Sequence, residues 1–132
     1  LLSEKEGGAL KAMSGMPMIQ FSLVSMLALA DKKVLSVERV VELMCHNPAK
    51  LFRIDRRGFI RNGYYADLVL VKPNDPWTVV PGEYYTKCGW TPMDGRSFDW
   101  KVVRTIVNGV TVYADGLIVD GVRGMELRFN MQ

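Results

Sequence analysis

The sequence predicts an α+β fold, with helices first and strands after, and three observations carry that reading. Apolar residues recur at three-four spacing through residues 19–30 and again through 37–44, which is the period of one helix face. From about Gly58 onward that period gives way to short runs rich in valine, isoleucine and aromatics, bounded by turn residues, as strands are. Two of those runs, 102–107 and 110–114, are separated by Asn108-Gly109, a two-residue hairpin signature of the type I′ turn.

Taken in order, residues 1–16 read as loop, with Gly7-Gly8, Ser14-Gly15 and no sustained period. Pro17 suits the first turn of a helix running to about Lys32, because its φ is already helical and its missing N–H would find no partner there. Ile19, Leu23, Met26, Leu27 and Ala30 give that helix its apolar stripe, and Phe21, Val24 and Leu29 widen it almost all round. A helix of that kind must be covered on most sides. Ser36 is placed to cap a second helix, with Glu38 near the positive end of its dipole. Val37, Val40, Val41 and Met44 form an i, i+3, i+4, i+7 stripe expected to face the core. Asn47 is expected to cap a short turn opened by Pro48 and running through Phe52.

The β half is expected to begin with Phe59-Ile60 and a tight turn at Asn62-Gly63. A compact buried strand at Leu68–Val71, entered through Asp67, then precedes a run at Trp77–Val80. After the hairpin, Asp115-Gly116 turns the chain into Leu117–Val119, and Asp120-Gly121 turns it again.

Composition narrows the class. A chain of 132 residues with 48% hydrophobic and 23% charged residues is ordinarily globular. Its longest apolar stretch, about a dozen residues broken by Gln20, Ser22 and Ser25, falls short of the roughly 20 that a bilayer requires, so no membrane span is expected. The two cysteines, Cys45 and Cys88, lie far apart and read as free, mostly buried thiols of a cytoplasmic protein. A net charge of +3 raises nucleic acid as a partner. However, Arg53, Arg56, Arg57 and Arg61 are interrupted by Asp55, and no basic helix interleaved with aromatics is present. A solvated loop is the expectation for those arginines, and no nucleic-acid partner is expected.

One stretch points further. Asn47-Pro48-Ala49-Lys50-Leu51-Phe52 is followed by Gly63 and then by Ala66-Asp67-Leu68-Val69-Leu70-Val71. In that order and spacing the segments resemble the end of the catalytic barrel in cyclic amidohydrolases. The flanks resemble dihydroorotases in particular. Trp90-Thr91-Pro92-Met93-Asp94-Gly95 is similar to that family's T-P-F-x-G segment, and residues 103–113 to its closing hairpin. Glu4-Lys5 and Ser14-Gly15-Met16-Pro17 resemble the loop after the last barrel strand. The resemblance implies a C-terminal fragment of a dihydroorotase that begins just after the family's D-H-A-P-H motif. Residues 1–57 would then hold the last helices of a metal-dependent (β/α)8 barrel, and 58–132 part of a small β-sandwich.

The same resemblance implies a zinc-dependent hydrolase interconverting N-carbamoyl-aspartate and dihydroorotate in pyrimidine biosynthesis. Its zinc would sit on earlier strands, and no metal ligand or catalytic residue is expected within this chain. The residues agree. A binuclear hydrolytic centre needs several imidazoles and carboxylates, and there is one histidine, His46. Cys45-His46 is a poor metal pair because adjacent helical residues diverge by about 100°; a histidine at a helix C-terminus is the better reading. The fragment alone is therefore expected to be inactive.

Ser14 and Gly15 are the expected substrate-binding residues, since the family presents backbone at this loop to the pyrimidine ring. Glycine permits such close approach. Met13-Ser14 stands where the family commonly has P-F, and Met18 and Gln20 stand where a second glycine and an acidic residue are usual. Asp67 is expected to be structural, bonding nearby backbone N–H groups. Trp77, Trp90, Trp100, Tyr84 and Tyr85 are expected to fill the sandwich core and its contact with the barrel. The eight methionines are read as packing rather than as a copper site. Exposed helix and strand surfaces predict self-association. Two alternatives stay open: a dihydropyrimidinase or allantoinase, and a non-catalytic amidohydrolase-like interaction module.

Overall fold

The computed structural model describes residues 1–8 and 10–130, and within them it is an α+β arrangement with every helix before the first strand. Helix α1 spans Ser22–Asp31 and is entered through a 3-10 turn at Ile19–Phe21. Pro17 and Met18 lie ahead of that turn, so the helix starts later than the sequence predicts. The Pro17 carbonyl is held instead by the Thr91 hydroxyl at 2.9 Å.

Helices α2 (Val37–Val41) and α3 (Asn47–Leu51) are joined without a break by a π-helical turn, Glu42–His46. The Ser36 hydroxyl caps α2 by accepting from the Arg39 N–H at 3.2 Å, as expected. Asn47 is not a cap. Its backbone is helical, with φ −67° and ψ −43°, and its N–H reaches back to the Glu42 carbonyl in a π-type bond. That wider turn accommodates Pro48, whose ring and missing N–H would otherwise break the helix. His46 consequently sits inside a continuous helix rather than at its C-terminus. Of the expected apolar stripe, Val40 is 1% exposed, whereas Val37 and Val41 are each 41% exposed.

Phe59-Ile60 forms no strand. A Cβ on Gly58 would come within 2.4 Å of the Ala49 Cβ and 2.7 Å of the Cys45 carbonyl oxygen, so the chain is pressed against the helix there. Phe59 then stacks on His46, with ring centroids 4.3 Å apart, which leaves no extended backbone to pair.

Strands β1 (Leu68–Lys72), β4 (Lys101–Val107), β5 (Val110–Ala114) and β6 (Leu117–Ile118) form one antiparallel sheet in the order β1-β4-β5-β6. Strands β2 (Trp77–Thr78) and β3 (Ser97–Phe98) form a separate ribbon. Neither β3 nor the isolated bridge between Ile54 and Phe129 was expected from the sequence. The hairpin pairs Val107 with Val110, and Asn108 and Gly109 have φ of +52° and +81°, the two positive values a type I′ turn requires. Asp115-Gly116 repeats the pattern with φ +50° and +89°, pairing Ala114 with Leu117. As a sheet edge, β1 is less buried than predicted: Val69 is 48% and Leu70 44% exposed.

The core lies between α1 and the small ribbon. Phe21 and Val24 meet Val79, Met93 and Phe98, with Trp77, Tyr84 and Trp100 packed around them. The Trp77 indole donates to the Trp100 carbonyl at 2.9 Å, and the Trp100 indole donates to the Asp31 carboxylate at 2.9 and 3.0 Å. Three of the five singled-out aromatics thus join the helical half to the ribbon, while Tyr85 is 56% exposed. Among the described residues no helix is long and apolar enough to cross a membrane.

Candidate functional site

The loop before α1 is built on a 3-10 turn, Leu2–Lys5. The Glu4 carbonyl accepts from the Met13 N–H at 3.1 Å, which folds the loop back on itself. The Lys5 ammonium donates to the carbonyls of Met13 and Gly15, the second at 2.7 Å, and stands 5.9 Å from the centre of the Trp90 ring. Gln20 accepts from the Tyr85 N–H at 2.9 Å, while the Tyr85 hydroxyl donates to the Gly116 carbonyl at 2.8 Å. Thr91, 4% exposed, fixes Pro17 as described and also accepts from the Met93 N–H at 3.4 Å.

These ties frame a cleft of about 640 Å3, lined among others by Lys5, Ser14, Gly15, Gln20, Cys88 and Trp90. A volume of that size suits a small organic ligand. Ser14 and Gly15, the residues singled out from the sequence, are exposed at it. Gly15 has φ +96°, and nothing lies within 4 Å of where its Cβ would stand, so bare backbone borders open space. Lys5 stands in the sequence only as part of a motif, and Trp90, expected in the sandwich core, lines this cleft. Their meeting across 85 residues of chain is a tertiary event that no local spacing announces.

The other candidates fall elsewhere. His46 faces Phe59, Cys45 is exposed and Cys88 half-buried, so the thiols are less buried than expected, and both are free. Burial nevertheless pushes the Cys45 thiol up from its ordinary range. Among the described residues no three His, Cys, Asp or Glu side chains come together as metal ligands. A lone imidazole stacked on an aromatic ring does not fit zinc, and no step through a metal is assigned to this chain. Asp67 lies at the junction of helix and sheet, where it accepts from the Asn108 N–H at 2.8 Å and pairs with Arg57. Its partner N–H is remote in sequence rather than local.

A second hollow, lined by Lys50, Arg53, Arg57, Phe59, Tyr64 and Asn130 among others, is shallower at about 390 Å3. Of its lining, Arg57 pairs with Asp67.

Residues 5–112 match the Amidohydrolase family. The chain belongs to that family. Among curated proteins it is 36% identical over 123 residues to a dihydroorotase of Pyrococcus abyssi, covering 93% of this chain and 29% of that protein. It is also 36% identical over 126 residues to a dihydroorotase of Halobacterium salinarum, covering 96% of this chain and 29% of the relative. Among solved structures it superimposes on an L-hydantoinase (dihydropyrimidinase) from Arthrobacter aurescens with a TM-score of 0.78 and 32% identity, over 83% of this chain and 25% of that one. The chain therefore spans under a third of the length of these amidohydrolases. The family read from the Asn47–Phe52 and Ala66–Val71 segments is the family found.

Proposed function

We propose that this chain supplies the C-terminal part of a dihydroorotase, with its loop before α1 as one wall of the substrate site. In this reading residues 1–57 close the catalytic barrel and residues 58–132 belong to the accompanying sandwich. The observation that carries it is the backbone of Ser14 and Gly15 at the edge of the cleft, with no side chain standing between Gly15 and the open space. A flat cyclic amide can approach such backbone closely and pair its own N–H and C=O groups with peptide groups.

The contribution of this chain is binding and orientation. Zinc ligands, and the proton acceptor for hydrolysis, come in this reading from outside these 132 residues. Dihydroorotate is favoured over a dihydropyrimidine because the curated relatives that match nearly the whole chain at 36% identity are dihydroorotases. The 32% likeness to an L-hydantoinase keeps the dihydropyrimidine as the competing substrate.

A chimera tests this. The 132 residues replace their counterpart in the Pyrococcus abyssi dihydroorotase, the protein is loaded with zinc, and hydrolysis of dihydroorotate and of dihydrouracil is compared. Preference for dihydroorotate is expected. A folded, zinc-loaded chimera that prefers dihydrouracil would move the assignment to a dihydropyrimidinase, and one that turns over neither would favour a non-catalytic module.

A further inference from the structure

We propose that Lys5 is a positioning residue of the cleft, engaging two carbonyls of the Met13–Met16 loop so that a defined donor and acceptor set is left for the ligand. The proposal rests on the reading of Ser14-Gly15 as substrate-facing backbone, and it names the side chain that holds that backbone in place.

An ammonium has three N–H donors and no acceptor. Two directions are taken by the carbonyls of Met13 and Gly15, and the cation also stands over the Trp90 ring, 5.9 Å from its centre. Lys5 is half-buried, unlike Ser14, Gly15 and Met16, which are exposed. Bonds from a charged donor are stronger than neutral ones, so a loop with little regular structure gains a fixed point at each of two alternate residues.

Alternation is the informative feature. With the Met13 and Gly15 carbonyls engaged, the Ser14 carbonyl and the N–H groups of Ser14, Gly15 and Met16 remain. Among the described residues none of those groups makes a hydrogen bond to backbone. One free carbonyl flanked by N–H donors is the chemical complement of an N–H flanked by two carbonyls, which is the imide edge of a dihydropyrimidine-dione ring. Lys5 thereby links the loop to Trp90 of the Trp90–Gly95 segment, so the wall of the cleft depends on the second half of the chain.

Two measurements test this. In the isotope-labelled chain, the carbonyl 13C resonances of Met13 and Gly15 are compared in wild type, Lys5→Met and Lys5→Arg. Upfield movement of both in Lys5→Met, with recovery in Lys5→Arg, is expected. In the chimera described above, Lys5→Met should raise KM for dihydroorotate about tenfold, equivalent to about 1.4 kcal/mol. Its kcat should stay within about twofold, because an interaction made equally in ground and transition states affects KM alone. Lys5→Arg should restore KM. Unmoved carbonyl resonances would overturn the proposal, as would resonances that move while KM stays constant. If the wild-type chimera fails to hydrolyse dihydroorotate, the assignment of substrate falls, and the carbonyl resonances alone decide whether Lys5 holds the loop.

Discussion

Arg57 and Asp67 meet in an ion pair where the helical half hands the chain to the sheet, with side chains 9% and 29% exposed. The guanidinium also donates to the Asn108 side-chain oxygen at 2.7 Å and lies 4.3 Å from the Tyr65 ring centre. Asp67 in turn accepts from the Asn108 N–H at 2.8 Å. One buried cation therefore fixes the entry to β1 and the β4–β5 turn together.

Asp67→Ala should accordingly destabilise the chain by about 2–3 kcal/mol, because it leaves a buried guanidinium without its counter-charge. Urea unfolding followed by circular dichroism measures this. Replacing Arg57 and Asp67 together with apolar residues should cost less than Asp67→Ala alone. Equal or greater loss in the double variant would contradict the attribution of the Asp67→Ala loss to an unpaired buried cation.

Phe21 is 2% exposed and packs against Trp77 and Tyr84, with ring centroids 6.4 and 6.5 Å away. Phe21→Ala should remove about 3–5 kcal/mol, enough to unfold a marginal chain at room temperature. Tryptophan fluorescence reports it directly, since Trp77 and Trp100 lie in the same cluster. A native-like emission spectrum in the variant would place the core elsewhere.

How far the sequence reaches is clear from these elements. The β4–β5 hairpin is legible because its signal is local: Asn108-Gly109 favours positive φ at both residues, and two strand-like runs flank it directly. The helix from Val37 was legible as a helix but not in its run through Pro48, because a π turn depends on how the flanking segments pack. Phe59-Ile60 has strand-forming residues, and tertiary contact of Phe59 with His46, and of Gly58 with Ala49 and Cys45, overrides that preference. Strand β3, Ser97–Phe98, offers a single apolar residue and too little pattern to be seen, unlike the equally short β2 and β6, which lie in apolar runs. At the cleft, Ser14-Gly15 could be singled out through family resemblance, whereas the role of Lys5 required knowing where Gly15 and Trp90 meet.

Gly109→Val tests the hairpin. No atom lies within 4 Å of the position of its Cβ, so the effect is backbone strain at φ +81° rather than a clash. A loss of about 1–2 kcal/mol is expected, lowering the midpoint of thermal unfolding by several degrees. Gly124→Val, at a glycine with open space and no positive φ, should leave the midpoint unchanged and serves as control.

Self-association should follow from apolar surface that the described residues leave open. Ile19 is 95% exposed, Ile60 89%, Leu51 75% and Leu117 73%, and β1 and β6 are both sheet edges. Open edges and apolar patches favour pairing with other chains. Light scattering at micromolar concentration should show a mass above 14.9 kDa. A monodisperse monomer that binds no hydrophobic dye would contradict this.

The most direct measurement is KM for dihydroorotate in the chimera carrying Gly15→Ala, with zinc content and melting temperature recorded alongside. A methyl group at that position meets no protein atom within 4 Å, and at φ +96° it also strains the loop backbone, so it should disturb the ring-facing wall without disturbing the metal. An increase in KM of about tenfold, corresponding to about 1.4 kcal/mol of binding, with zinc retained, is the expected result. An unchanged KM in a folded, zinc-loaded protein would contradict the placement of substrate against the Ser14-Gly15 backbone.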